Sequence, residues 1–164
     1  MAERKATDLI YAVTLDSLRA HLQESGYRVE TVASGATNNV FLRSATGGMT
    51  FDVRPGNLLA GEGGRYADFS FLALLAIKGG DLPSNLVNNW NNQRRFGRLH
   101  VDQGFLMLDM DVSVAGGVGA DCLRAQTVIW DQLLQGLIAY LRVELPRLAG
   151  TTPTSGEIPA PAVL

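Results

Sequence analysis

The sequence is short of the residues that most site chemistry needs. It has one cysteine, Cys122, and two histidines, His21 and His100. One thiol cannot close an intramolecular disulfide, so no oxidising compartment is implied. Neither histidine is spaced with Cys122 or with a carboxylate cluster as zinc ligands are. No run of ~18 uninterrupted apolar residues occurs, which argues against a bilayer-spanning helix. A dominant charge of one sign is also missing. The chain carries 14 basic and 16 acidic residues, net −2, whereas a protein that grips phosphates concentrates basic side chains on one face. The apolar run Leu9–Val13 is too short for a signal-peptide core and lacks a small-residue cleavage site soon after it. These absences predict a cytoplasmic protein with neither nucleic acid nor membrane as partner.

Catalytic patterns are absent too. Ser70, Ser113 and Cys122 lie outside any nucleophile-elbow or protease context. Cys122 falls near a helix start, where a thiol can be activated, but a small buried residue is the default reading. Gly116-Gly117-Val118-Gly119 precedes a helix, yet it lacks the Gly-x-Gly-x-x-Gly spacing and a following Lys-Ser/Thr, and it follows a hairpin. It reads as flexible backbone for a sharp strand-to-helix turn. The expectation is a protein that is not an enzyme and has no cofactor or metal.

What is present describes a globular fold. At 46% apolar and 18% charged residues, the composition is that of a packed chain, not a disordered one. Its 164 residues suit one domain, expected over 14–149, with an N-terminal arm at 1–13 and a disordered, proline-containing tail at 150–164. Thr14 is placed to cap a helix over 15–25 whose Leu15, Leu18 and Leu22 share a face. Gly26 then closes it. Strands are predicted at 27–33 and 39–44, with a turn at 34–37 between them. The glycine turn Thr46-Gly47-Gly48 leads into Met49, Phe51 and Val53, which alternate with polar residues as a hairpin strand does. Residues 55–65 read as a flexible glycine loop.

The segment 66–77 is ambiguous. Its Leu and Ala suit a helix by propensity, whereas Phe69-Ser70-Phe71 suits a strand. Gly79-Gly80 ends it, and Asp81-Leu82-Pro83-Ser84 opens a helix to about 95. A strand at 97–101, a tight turn at 102–104 and its partner at 105–114 follow. The last helix runs from about 120 to 145. Leu123, Gln126, Thr127, Trp130, Leu134, Leu137, Leu141 and Leu145 form its inner stripe, and Pro146 stops it. Hairpin-connected strands among helices define an α+β fold: a twisted antiparallel sheet flanked by N-terminal, middle and long C-terminal helices.

Between Trp90 and Trp130 the residues form a recognisable series. It runs Trp90-Asn91, Arg95-Phe96-Gly97-Arg98, Asp102, Gly104, Leu108-Asp109-Met110-Asp111, Gly116-Gly117-Val118 and Trp130. This series resembles the YbjN family, whose members are described as bacterial sensory transduction regulators. The resemblance is specific over roughly 45 residues and looser over 15–145. It implies a fold like that of class I type III secretion chaperones, and on that ground 66–77 is read as a long strand. Some relatives carry cysteines near the segment before this strand; this chain has Gly and Leu there, so any thiol or metal role would not transfer. The resemblance further implies a non-enzymatic, cytoplasmic protein that acts through protein contacts, with a homodimer among its forms and a connection to stress and motility regulation. The fold does not by itself give the function.

Six residues stand as tentative partner- or ligand-binding candidates, each with a structural alternative. Asn91 either presents an amide to a ligand or bonds local backbone, while Trp90 anchors its helix; the structural reading is favoured. Arg95 and Arg98, with Arg94 and His100, suit an acidic partner or an anion. The alternative, which is favoured, is a surface ion pair with Asp109 or Asp111 across the adjacent hairpin, with Arg98 and Asp109 near neighbours if the turn lies at 102–104. Asp109 and Asp111 alternate on one strand face. Paired carboxylates can hold metal or work as acid and base, but no further ligand is spaced for it, so a solvated face is favoured. Trp130 with Leu133, Leu134 and Leu137 reads as core in preference to interface. A second functional reading is a small-ligand sensor that uses 90–98, with the 55–65 loop as its lid.

Overall fold

The computed structural model of the protein describes residues 8–35, 39–61, 63–78 and 82–150, with side chains to residue 148. The elements run α1 (Leu15–Glu24), β1 (Glu30–Ala33), β2 (Val40–Thr46), β3 (Met49–Pro55), β4 (Asp68–Ala76), α2 (Ser84–Gln93), β5 (Arg98–Asp102), β6 (Phe105–Ser113) and α3 (Ala120–Gly150). The strands form one antiparallel six-stranded sheet in the order β1-β2-β3-β4-β6-β5. Helices and sheet together make the expected α+β fold.

Residue chemistry explains the elements. Thr14 caps α1: its hydroxyl accepts from the Ser17 amide at 3.0 Å and Ser17 Oγ accepts from the Thr14 amide at 2.8 Å. Two orphan donors of the helix start are thereby satisfied. Gly26 ends the helix with φ 91°, a conformation a Cβ disfavours. Gly47 and Gly48, both at positive φ, turn β2 into β3 and set Arg43 opposite Asp52. The segment 66–77 holds a strand at the centre of the sheet, paired on both sides by β3 and β6. Burial overrides the helical propensity of Leu and Ala there.

Side chains alternate between the sheet faces. One face carries Leu42, Phe51, Val53, Phe69, Phe71, Leu108 and Met110, all buried in a core shared with Leu18 and Leu22 of α1, Leu86 and Trp90 of α2, and Trp130, Leu134 and Leu137 of α3. Trp130 stacks on Phe71 with ring centroids 5.2 Å apart and meets Phe51 edge-on at 5.8 Å. The other face carries Arg43, Asp52, Arg54, Ser70, Asp109, Asp111 and Arg98, the alternate positions of the same strands.

Several expectations need correction. Pro146 lies inside α3, which continues to Gly150. Proline removes one amide and crowds the carbonyl four residues back, but Leu148 beyond it still packs against the core. Leu145 is exposed rather than inner, and so is Cys122. The first strand starts at Glu30, after Tyr27 and Val29 have packed on the core. The arm is tied down in part: Ile10 bridges Val118, and Val13 bridges Tyr66. Much of the glycine loop is pinned by the Gly56 amide on Asp68 O, Ala67 N–H on Asn57 O and Leu59 N–H on Arg65 O. Pro83 stands one position before α2, not within it. The turn residues 36–37, Glu62 of the loop, Gly79-Gly80, Asp81 and the tail beyond 150 lie outside the described residues.

Candidate functional site

The α2–β5 corner gathers four of the six candidates. Trp90 is buried against Tyr140 of α3, with centroids 5.4 Å apart, and the Arg94 guanidinium covers its ring at 5.1 Å. Its indole N–H has no hydrogen-bond partner among the described residues. Asn91 sits on the same helix, facing the edge strand. Its Nδ2 donates to Leu99 O at 2.8 Å, and its Oδ1 accepts from the Leu99 amide at 2.9 Å. Leu99 is on β5, the last strand of the sheet, and an edge strand leaves alternate N–H and C=O groups unpaired. The Asn91 amide serves both groups of Leu99 as a further strand would.

Between α2 and β5 the chain turns through Arg95-Phe96-Gly97. The Gly97 amide donates to Arg95 O at 2.9 Å, and Phe96 between them has φ 72°. That is a tight three-residue turn with a bulky residue in the left-handed region, a conformation costing on the order of 1–3 kcal/mol. Gly97 is required by close approach: a Cβ there would come within 2.8 Å of Leu133 Cδ1 on α3. Phe96, at the centre of this turn, is 64% exposed. The Arg95 guanidinium lies over its ring at 5.5 Å.

The other candidates are occupied on the outer sheet face. Arg98 and Asp109 are register partners; Nη2 and Nε of Arg98 donate to the carboxylate at 2.6 and 3.3 Å. This contact holds the Arg98 guanidinium above its usual pKa. His100 Nδ1 lies 3.6 Å from the same carboxylate, beyond hydrogen-bond reach. Asp111 accepts from Ser70 Oγ at 2.6 Å. Among the described residues no group of three or more His, Cys, Asp or Glu could hold a metal ion.

A second cluster on this face escaped the sequence reading. The carboxylate of Asp52, 2% exposed, accepts from Arg43 Nε at 2.8 Å, Arg43 Nη2 at 3.2 Å and Arg54 Nη2 at 2.9 Å. Both guanidiniums lie over the Phe41 ring, at 5.4 and 4.8 Å. Hydrogen bonding to Asp52 raises the Arg43 pKa. The Gly47-Gly48 turn carried a usable signal, because a two-residue hairpin loop fixes Arg43 opposite Asp52.

An antiparallel α+β sheet with helices on one face, a charged outer face and an arginine-flanked aromatic at its corner defines the class of the protein. Within that class, the family described as "YbjN: Putative bacterial sensory transduction regulator" matches residues 14–142, and the chain belongs to it. The match covers the elements from Thr14 into α3, including the whole α2–β5 corner and both arginine clusters. No curated protein and no solved structure matches the chain. Membership supports a regulatory role. No helix of the described residues is long and apolar enough to cross a membrane.

Proposed function

We propose that this chain is a non-enzymatic regulator that works in the cytoplasm through protein–protein contacts, and that the α2–β5 corner is its contact surface. The observation that carries this reading is Phe96, a large aromatic held exposed at φ 72° between Arg95 and Arg98. Backbone strain persists where the surroundings over-determine it, and it clusters at functional positions. Aromatic residues, Phe among them, and arginine are also enriched at the cores of protein interfaces. In this reading Trp90 and Asn91 position the corner from within. Arg95, Phe96 and Arg98 meet the partner, which is acidic around an apolar pocket. Asp109 holds the Arg98 fork in place, and Asp111 lies outside the contact.

Affinity capture from native host lysate, read by mass spectrometry, tests this with the wild-type chain beside Arg95→Ala/Arg98→Ala. The expected result is one stoichiometric partner held by the wild type and lost by the variant. A partner held equally by both would place the contact elsewhere. A second copy of this chain as the captured species would identify the surface as a homodimer interface.

A further inference from the structure

The Arg43–Asp52–Arg54 cluster sets two guanidiniums on one buried carboxylate, and Glu30 stands opposite Arg43 on β1. Asp52 is buried and fully engaged: Arg43 takes it with two N–H groups and Arg54 with one, through Nη2 at 2.9 Å. A guanidinium has five N–H donors in a planar fork. One of those on Arg54 is bonded to Asp52, and its side chain is 45% exposed.

Arg54 also lines a cleft of about 530 Å³ with Leu15, Asn39, Phe41 and Tyr66, a size within the usual range for small-molecule sites. The Phe41 ring lies 4.8 Å beneath the guanidinium, which seats the fork before any ligand arrives. Leu15, Phe41 and Tyr66 supply apolar surface beside it, and Asn39 a further amide. The nearby carboxylate of Asp68 beside Gly56 is already bonded to the Asn57 amide at 3.0 Å and Asn57 Nδ2 at 2.7 Å.

We propose that this cleft binds a small organic carboxylate with an apolar body. The carboxylate takes the remaining N–H groups of Arg54, and the body lies along Leu15 and Tyr66. An arginine fork matches a carboxylate with two parallel hydrogen bonds, and the apolar side chains of Leu15 and Tyr66 favour an organic anion over a bare inorganic one. The site lies toward the β1–β2 side of the sheet, away from the α2–β5 corner, and does not rest on the reading of Phe96.

Titration of the ¹⁵N-labelled chain with benzoate, hexanoate, acetate and inorganic phosphate, followed by two-dimensional NMR, tests the proposal. Benzoate or hexanoate should shift the Arg54 Nε–H signal and the Phe41 and Gly56 amides saturably, with a Kd below about 1 mM. Acetate and phosphate should bind at least tenfold more weakly. Arg54→Gln should abolish saturation, Arg54→Lys should weaken it at least tenfold, and Arg98→Gln should leave it unchanged, with a cooperative melting transition well above the titration temperature confirming that each variant folds. Non-saturating shifts with both apolar carboxylates, or saturation that survives in Arg54→Gln, would overturn the site. Phosphate binding as tight as benzoate would overturn the ligand class.

Discussion

Asp52 and Asp109 occupy one row of the outer sheet face, on either side of Leu72, and each pairs with an arginine on the neighbouring strand. They are held differently. Asp52 is 2% exposed and accepts three hydrogen bonds from two guanidiniums seated on Phe41. Asp109 is 14% exposed and is held by Arg98, itself 69% exposed, with His100 too distant to bond. The same Arg–Asp pairing is thus a desolvated cluster at one end of the row and a surface pair at the other. Burial of the acceptor and the number of bonds it collects decide its energetic weight, not the presence of a salt bridge.

The largest expected effect is at the buried end. Asp52→Ala removes three charge-assisted hydrogen bonds, but both arginines are partly exposed and can turn to water. The expected loss is about 2 kcal/mol, read from urea unfolding. A loss no greater than that of Asp109→Ala would erase the distinction. Next comes the amide that ties α2 to the edge strand. Asn91→Leu leaves the Leu99 N–H and C=O without their partner, at a cost of about 1–2 kcal/mol. It also opens the sheet edge, so sedimentation should detect concentration-dependent association. Stability kept at the wild-type value would show that the β5 side is held by its ion pair after all.

Arg98→Ala should cost no more than about 0.5 kcal/mol, and less in high salt. Combined with Asp52→Ala it should be additive within about 0.5 kcal/mol, because Leu72 separates the clusters. A larger coupling would join them into one network.

The smallest effect has a defined sign and a control away from both clusters. His21 lies against α3 with Nε2 2.8 Å from Thr127 Oγ, and burial lowers its pKa below the ordinary 6.5. Well above pH ~6.5 the ring is neutral in both folded and unfolded chains, and stability is undiminished. As pH falls below that value, the unfolded chain takes up the proton first and stability is lost until the folded pKa is reached. His21→Gln should flatten that part of the stability–pH curve, measured as wild type minus variant; an unchanged slope would remove His21 as its source.

Much of this architecture was legible because local chemistry determined it. The Thr14 cap, the Gly47-Gly48 hairpin and the Arg98–Asp109 pair each follow from residues close together or from a turn that sets register. Arg43 opposite Asp52 was readable by the same rule, but Arg54 joins from two positions along the strand and Phe41 from beneath, which register does not encode. The Asn91–Leu99 contact needs α2 to fold back on the sheet edge. The room for a side chain at Gly97, next to Phe96, is limited by Leu133, on a helix more than thirty positions away. Pro146 was read as a stop because helix grammar is local, whereas the packing of Leu148 is tertiary.

The most direct test of the corner as a contact surface is a comparison of Phe96→Gly with the wild type for partner retention at matched folded concentration. Glycine relieves the left-handed backbone, so the variant should unfold at an equal or higher urea midpoint, by up to about 1 kcal/mol. This well-folded variant should capture no partner. A Phe96→Gly chain that folds and still holds the wild-type partner would contradict it.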